Sequence, residues 1–145
     1  MGIPGAGKST WAKRNLHEDD IYISRDEIRF SMLKDGEDYF SHENKVYNEF
    51  IKTIQKALDK GGNIYVDATH LNWASRNKLF NRLNLNNVKV GCICFYTPLE
   101  ICIKRNEKRT GYEKVPEGAI KRMYNSLRPP QNDPFTYDKI IEIKG

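Results

Sequence analysis

The sequence predicts an α/β fold in which a parallel sheet is flanked by helices. Two observations lead to this prediction. Short apolar segments of the strand type alternate with helical segments along the chain, which is the pattern of a parallel α/β sheet. A glycine-rich segment at the amino terminus leads directly into the first helical segment, where a helix start can bind an anion. The 145 residues are predicted to form a single domain.

Each element is predicted from a local signal. The longest predicted helix, Glu43–Lys60, carries its apolar residues on one face and ends at two glycines. Asn72 is predicted to cap the helix that follows it. The most apolar strand is predicted at 88–96, and the Thr-Pro-Leu-Glu segment at 97–100 predicts a capping box. The other predicted strands are 21–23, 63–66 and 137–143, and the other predicted helices are 9–17, 25–34, 73–83, 98–109 and 116–128.

Composition and charge narrow the class of protein. With 39% hydrophobic and 30% charged residues, the chain is predicted to fold rather than to stay disordered. The net charge of +5 favours polyanionic partners such as nucleotides and nucleic acid. The sequence has no apolar run of membrane-spanning length and no signal peptide, so we expect a cytoplasmic protein, in the host cytoplasm if it is phage-encoded. The three cysteines show no pairing pattern and are predicted to be free thiols.

The segment 2–9 reads Gly-Ile-Pro-Gly-Ala-Gly-Lys-Ser and matches the phosphate-binding P-loop at every specified position. Its glycines allow the tight turn that points successive N–H groups at phosphate oxygens. Lys8 can reach the β- and γ-phosphates, and the Ser9 hydroxyl can bind Mg²⁺. The sequence therefore predicts a site for ATP and Mg²⁺. The residues of this segment predicted to bind the nucleotide are Gly5, Ala6, Gly7, Lys8, Ser9 and Thr10.

The strand that normally leads into a P-loop is missing from this sequence, because only Met1 precedes Gly2. We expect the coding region to continue upstream of Met1 with about five apolar, β-branched residues. The chain that starts at Met1 is then expected to be less stable, and to bind ATP more weakly, than the extended chain.

Polar residues directly follow two predicted strands, at the edge of the sheet where ligands bind in α/β folds. Asp26 and Arg29 lie three residues apart at a helix start, so they share a face. Asp26 could accept the proton of an attacking hydroxyl while Arg29 holds an anionic group of the acceptor. On spacing alone, the alternative is an acid favoured by the helix dipole beside a solvated arginine.

The second polar segment begins at Asp67, which ends a strand and could bind Mg²⁺ directly or through water. A strand-end turn residue is the alternative. Thr69 and His70 could line an acceptor pocket, although a lone histidine is more often a surface or hydrogen-bonded residue. Arg76 is close enough in sequence to join them. These four residues are the predicted acceptor contacts at this edge, and Asp67 and Ser9 are the predicted metal ligands.

A dense basic segment covers 104–109, where Arg105 and Arg109 are four residues apart and share a helix face. Together with the polar loop and the helix after it, this segment predicts a lid that closes over ATP. Both arginines could neutralise charge on the transferred phosphoryl group, so they are candidate catalytic and ATP-binding residues. A solvated charged face is the alternative.

The ordered set of motifs resembles the kinase domain of phage-type 5′-polynucleotide kinases over most of the chain. The P-loop alone is generic, but its combination with the other segments is far more specific. The matching segments are GIPGAGKSTWA at 2–12, RDEIR at 25–29, DATHLN at 67–72, KRNEKR at 104–109, VP at 115–116 and MYNSLR at 123–128.

The resemblance implies a three-layer P-loop kinase fold with a helical lid over about residues 98–128. It implies ATP-dependent phosphorylation of the 5′-hydroxyl of DNA or RNA, as in the repair of nucleic-acid ends. Asp26 would be the general base, and Arg29 would bind the 3′-phosphate of the acceptor. The other implied roles are ATP phosphate and Mg²⁺ binding for Lys8 and Ser9, and lid contacts to the phosphates for Arg105 and Arg109.

The sequence departs from that family at several positions. The first strand is missing, and the sequence ends at Gly145 without the phosphatase domain of the phage enzyme. His70 stands where asparagine is usual, and Asp67 lies one place earlier than in the best-known phage enzyme. Two alternatives stay open: a P-loop kinase for a small-molecule hydroxyl (a nucleoside, sugar or sugar nucleotide), and a non-catalytic nucleotide-binding module of a repair assembly.

Overall fold

The computed structural model describes residues 1–145 and confirms an α/β fold with parallel strands. The elements agree with the predicted ones to within a few residues at each end. No helix is long and apolar enough to cross a membrane. The strands are β1 (Ile21–Ser24), β2 (Ile64–Asp67), β3 (Gly91–Phe95) and β4 (Lys139–Ile143). The helices are α1 (Lys8–Asn15), α2 (Arg25–Met32), α3 (Glu43–Lys60), α4 (Trp73–Asn81), α5 (Leu99–Glu107) and α6 (Glu117–Ser126).

The strands form two separate parallel pairs, β1–β2 and β3–β4, rather than one continuous sheet. Met1 and Gly2 lie between the pairs. The Met1 carbonyl accepts a hydrogen bond from the Phe95 amide at 2.9 Å, and the Gly2 amide donates to the Thr69 carbonyl at 2.9 Å. These two residues therefore take the place of the end of a strand between the two pairs.

Each strand pair has its own apolar core. Helices α1 and α3 both pack on the β1–β2 pair, and the apolar face predicted for α3 is buried there. The residues of this core are Ile23, Phe50, Ile51, Ile54, Ala57, Ala68 and Leu79. A second core joins the P-loop to β3, α5 and α6. Its residues are Ile3, Ala6, Tyr39, Phe95, Cys102, Val115, Ala119 and Ile120. The P-loop is thus anchored from beneath by apolar packing.

The helix starts agree with their predicted caps in one case and differ in another. Asn72 and the Ser75 side chain form a capping box at the start of α4, which confirms the predicted cap. The capping box predicted at the start of α5 is wrong, because Pro98 is the N-cap and no side chain caps the helix; the Thr97 hydroxyl donates to the Ala6 carbonyl at 2.8 Å. The buried Thr97 side chain therefore holds the P-loop rather than the helix.

Helix α5 packs directly against the P-loop. A Cβ atom on Gly5 would lie 2.7 Å from the Cys102 carbonyl oxygen, and Gly5 has a φ of 83°. Both the close approach and the left-handed backbone require glycine at this position. The three cysteines of the chain, including buried Cys102, are free thiols as predicted.

Candidate active site

The P-loop forms one wall of an open cavity of about 790 Å³. Gly7 is the N-cap of α1, and no side chain caps this helix. The first N–H groups of α1 are therefore free to bind an anion in the cavity. All of the residues predicted to bind the nucleotide line this cavity, namely Gly5, Ala6, Gly7, Lys8, Ser9, Thr10, Arg105 and Arg109.

Lys8 projects from the start of α1 into the space beside the P-loop. Its ammonium donates a hydrogen bond to the Ile3 carbonyl at 3.0 Å. Burial lowers the pKa of Lys8, while the nearby carboxylates of Asp67 and Asp26 act in the opposite direction. A partly desolvated ammonium in this position can bind phosphate oxygens as a point charge.

Arg105 and Arg109 reach the same cavity from α5 and from the loop that follows it. The Arg105 guanidinium donates to the Gly5 carbonyl at 3.0 Å, so this side chain already contacts the P-loop. Arg109 follows the last turn of α5 and lines the cavity on the same side. The predicted juxtaposition of this basic segment with the P-loop is therefore present in the structure.

A buried amide, Asn106, holds the loop that carries Arg109. Asn106 is 2% exposed, and its Nδ2 donates to the Val115 carbonyl at 2.7 Å. Its Oδ1 accepts a hydrogen bond from the Val115 amide at 2.9 Å. This pair closes the loop between α5 and α6. Sequence reasoning missed Asn106, and the only signal was one amide residue within a run of charged ones.

A second cavity of about 200 Å³ adjoins the first. Pro4, Lys8, Asp26 and Asp67 line both cavities. Asp26 therefore lies at the boundary between a space over the P-loop and a space beyond it. The other residues of the smaller cavity include Arg25, Arg29, Tyr39, Phe40, Glu43, Thr69 and Met123.

The Arg29 guanidinium organises the smaller cavity. It is only 6% exposed and binds Glu43 at two points, with Nε to Oε1 at 2.7 Å and a terminal nitrogen to Oε2 at 3.0 Å. Its other terminal nitrogen donates to the Tyr39 hydroxyl at 2.8 Å and to the Asp26 carboxylate. Two-point contact of this kind fixes the orientation of a guanidinium. Arg29 thus orients Asp26, and its predicted contact to an acceptor phosphate stays a prediction.

Tyr39 and Glu43 are functional candidates that sequence reasoning missed. Glu43 is the first residue of α3, and Tyr39 lies in the segment before it, is 8% exposed and packs in the second core. Burial, together with the neighbouring Asp26 carboxylate, raises the pKa of Tyr39, so its hydroxyl stays a donor. A tyrosine and a glutamate near the predicted base were the available signals, but their spacing gives no periodic pattern.

The residues present fit a magnesium ion bound together with a nucleotide. Asp67 lines both cavities and accepts a hydrogen bond from the Tyr22 hydroxyl at 2.5 Å, while Ser9 is exposed in the larger cavity. The structure contains no group of three or more histidine, cysteine or acidic residues able to hold a metal by itself. A hydroxyl and one carboxylate are the donors that Mg²⁺ uses when phosphates complete its shell.

Among the remaining candidates, only Thr69 lines the smaller cavity. His70 lies outside both cavities, has a left-handed φ of 44°, and stacks on Phe50 with ring centroids 6.3 Å apart. Burial, with smaller effects from nearby cations, lowers the pKa of His70 to about 3. The imidazole is therefore neutral at physiological pH, which suits a packing residue.

Arg76 also lies outside both cavities. It is 2% exposed and binds the Asp133 carboxylate at two points, at 2.6 and 2.9 Å. Another of its nitrogens donates to the His70 carbonyl at 2.8 Å. This internal ion pair leaves Arg76 no free face toward an acceptor. We therefore leave His70 and Arg76 out of the proposed acceptor site.

The fold and the paired cavities define a kinase-type P-loop domain. A family model described as an AAA domain (AAA_33) matches residues 1–130, and the chain belongs to this family. The resemblance to polynucleotide kinases stated from the sequence is confirmed at the level of a P-loop kinase domain.

Individual relatives agree with this assignment. The chain is 27% identical over 142 residues to the "Putative bifunctional polynucleotide kinase/RNA ligase" of Autographa californica nuclear polyhedrosis virus, with 88% of this chain and 20% of that protein covered. It matches a solved chain of the Pnkp1/Rnl/Hen1 RNA repair complex with a TM-score of 0.71 and 25% identity, over 88% of this chain and 42% of that one.

A sugar kinase from Janibacter sp. HTCC2649 shares the fold, with a TM-score of 0.66 and 18% identity over 99% of this chain and 82% of that one. The first two relatives are much longer than this chain, which spans about a fifth of the viral protein and less than half of the repair-complex chain.

Proposed function

We propose that this protein is an ATP-dependent kinase that transfers the γ-phosphate of ATP to the 5′-hydroxyl of DNA or RNA. The observation that carries the proposal is the position of Asp26, at the boundary of the two cavities, with its carboxylate oriented by Arg29 and Tyr39. ATP occupies the larger cavity and the acceptor occupies the smaller one. The domain comprises residues 1–145, with a lid over about 98–128.

In this reaction the 5′-hydroxyl oxygen attacks the γ-phosphorus atom, and the bond from that phosphorus to the β–γ bridging oxygen of ATP breaks. The hydroxyl proton passes to the Asp26 carboxylate, and ADP leaves. Lys8 holds the phosphates, and Arg105 and Arg109 stabilise the charge that develops on the transferred group. Mg²⁺ held by Ser9 and Asp67 would offset phosphate charge when bound.

Several observations support a polynucleotide as the acceptor. The net charge of +5 favours a polyanion. The smaller cavity contains Arg25 and Arg29, which an acceptor phosphate would reach by displacing Glu43, and the aromatic Phe40, which is 41% exposed and offers a face for a base. The names of the viral relative and of the repair complex refer to polynucleotide kinase or RNA repair, and these proteins support the same acceptor class here.

A kinase for a small-molecule hydroxyl is the second candidate. The observation that favours it is the size of the acceptor cavity, about 200 Å³, which suits a single small unit. The sugar kinase that covers the whole chain shares only the fold at 18% identity.

The deciding experiment is transfer of labelled γ-phosphate from ATP to a panel of 5′-hydroxyl oligonucleotides, nucleosides and sugars, with and without Mg²⁺. We expect Mg²⁺-dependent labelling of oligonucleotides. Labelling of sugars or free nucleosides alone would move the assignment to the second candidate. ATP binding without transfer to any acceptor would support a non-catalytic nucleotide-binding module.

The same assay tests the general base. We expect Asp26→Asn to lower kcat by about 10²–10⁴-fold, the usual contribution of a general base. ATP affinity, measured by calorimetry, should stay nearly unchanged because Asp26 acts on the acceptor. If the Asp26→Asn variant kept most of the kcat of the unsubstituted protein, Asp26 would not be the general base. It would then only be an acidic residue that the helix dipole favours at the start of α2.

A further inference from the structure

Three cations lie against the ring of a single tyrosine of α3, Tyr47, which packs at the border of the β1–β2 core. The Lys78 ammonium lies 4.4 Å from the centroid of the Tyr47 ring, and the guanidinium carbons of Arg25 and Arg82 lie at 5.0 and 5.7 Å. Lys78 and Arg82 are both exposed, and Tyr47 is partly buried. We call these four residues, Arg25, Tyr47, Lys78 and Arg82, the Tyr47 patch.

Two of the three cations of the Tyr47 patch, Lys78 and Arg82, have no counter-charge within the protein, whereas the third, Arg25, is paired with Glu43. No carboxylate lies within 4.0 Å of Lys78 or Arg82, and the side chain of Arg82 hydrogen-bonds only to the Asn48 amide oxygen at 3.3 Å. Like charges one helical turn apart destabilise each other. Contact with the ring face offsets part of this repulsion. An anion bound between the cations would offset more of it.

The Tyr47 patch is continuous with the smaller cavity through Arg25. The Arg25 side chain lines that cavity beside Asp26 and binds Glu43 at 3.0 Å, while its guanidinium stands over the Tyr47 ring. Its Nε atom is buried without a hydrogen-bond partner. A row of cations therefore begins beside Asp26 and leads over α3 to the exposed end of α4.

We propose that the Tyr47 patch binds the phosphodiester backbone of a single-stranded polynucleotide, 3′ of the nucleotide whose 5′-hydroxyl lies at Asp26. The proposal rests on the proposed function. A polynucleotide acceptor must leave the small cavity as soon as its first nucleotide is bound, and the row of cations marks an exit of matching charge. Lys78 and Arg82 contact phosphates beyond the first nucleotide, and Arg25 contacts the phosphate at the exit. A sugar acceptor has no chain to place there.

The test compares acceptors of increasing length. We would measure kcat and KM for a nucleoside 3′-phosphate and for single-stranded 5′-hydroxyl oligonucleotides of two, four and eight nucleotides, at two salt concentrations. The test variant is Lys78→Gln/Arg82→Gln. The matched control is Lys89→Gln/Lys139→Gln, which removes two charges from exposed positions by the β3–β4 pair. Thermal melts verify that both proteins are folded.

We expect KM of the unsubstituted protein to fall at least about tenfold between the mononucleotide and the octanucleotide, because two further phosphate contacts are made. In the test variant, KM should decrease much less with acceptor length. The slope of log affinity for the octanucleotide against log salt concentration should be smaller in magnitude by about 1.4, the value for two phosphates of a single strand. Its kcat and its KM for the mononucleotide should not change. The control should behave like the unsubstituted protein.

Three results would overturn the inference while leaving the proposed function intact. One is a KM that does not depend on acceptor length in the unsubstituted protein. Another is a test variant that keeps the full length dependence, and the third is a control that loses it equally. Failure of the proposed function looks different, because no oligonucleotide would then be phosphorylated at all, whether or not the mononucleotide is. The charge-preserving variant Lys78→Arg/Arg82→Lys should keep the length dependence, which separates a charge effect from damage to the helix.

Discussion

Tyr39 donates its hydroxyl to the Asp26 carboxylate at 2.6 Å, on the same oxygen, Oδ1, that Arg29 binds. The other oxygen, Oδ2, accepts no hydrogen bond within the protein, and the side chain is 45% exposed. One oxygen of the carboxylate is therefore held by two donors, and the other is free of any donor within the protein. A general base needs this combination of a fixed position and a free lone pair.

The first prediction concerns this hydrogen bond. We expect Tyr39→Phe to lower kcat about tenfold. A hydrogen bond to a charged group contributes about 1.5–3 kcal/mol, and part of this free energy holds Asp26 in its orientation. ATP affinity should not change. Steady-state kinetics with an oligonucleotide acceptor measure the effect, and Tyr124→Phe, which removes an exposed hydroxyl on α6, is the control. An unchanged kcat would show that Arg29 alone suffices to orient the base.

The second prediction concerns Arg29. We expect Arg29→Ala to weaken binding of the acceptor more than binding of ATP. The loss should be largest for acceptors with a 3′-phosphate, because a guanidinium binds phosphate at two points. Kinetics with matched acceptors that carry or lack the 3′-phosphate measure this difference. Since Arg29 is bound to Glu43 and Asp26 in the structure, a loss of the same size for both acceptors would limit its role to positioning Asp26.

The third prediction treats Arg76 as a structural residue. We expect Arg76→Ala to destabilise the protein by about 3–5 kcal/mol, because it leaves the Asp133 carboxylate buried without its partner. The melting temperature should fall by about 6–20 °C at the scale usual for a domain of this size. At low temperature the KM for the acceptor should be unchanged. Arg122→Ala, an exposed arginine without an ion pair, is the control. A stable variant with a raised acceptor KM would restore the substrate contact predicted from the sequence.

The fourth prediction concerns acid stability. The pKa of His70 is lowered in the folded protein to about 3, from an ordinary value of 6.5, so protonation favours the unfolded chain. The stability from neutral His70 is complete above pH 6.5 and is lost as the pH falls below it. At pH 5.5 the loss should be about 1 kcal/mol. The melting temperature of the His70→Asn variant should fall less between pH 7.5 and pH 5.5 than that of the unsubstituted protein. An equal fall in both proteins would mean that His70 is protonated in the folded state.

Much of the fold could be predicted from the sequence, because the signals are local. The apolar face of α3 and the cap at Asn72 depend on nearby residues, and both are present in the structure. The start of α5 could not be predicted in this way. Thr97 has the right spacing for a capping box, but Pro98 is the N-cap of α5 and no side chain caps the helix, while the Thr97 hydroxyl donates to the Ala6 carbonyl, which is far away in sequence.

In the candidate site, too, features that depend on neighbouring residues could be predicted, and features that depend on distant residues could not. The P-loop residues and Asp26 lie on contiguous motifs, and the structure places them around connected cavities. Tyr39 and Asn106 act through side chains that meet distant or irregular segments, and no periodic pattern marks such contacts. The predicted acceptor contact of Arg76 stays a prediction: its sequence position is near the active-site segment, but in the structure its guanidinium binds Asp133, which lies 57 residues further along the chain.

The hydrogen bonds of Met1 and Gly2 have a consequence for how the domain comes apart. No ladder joins β2 to β3, so each half, with its own core, is a separate candidate for cooperative opening. The backbone bonds of these two residues, the ion pair of Arg76 and the stacked rings of Phe80 and Phe135 are among the contacts that join the halves. A nucleotide that contacts both Asp67, at the end of β2, and Arg105, on α5, would hold the two halves together. Hydrogen exchange of the two halves should therefore be independent without ATP and concerted with it.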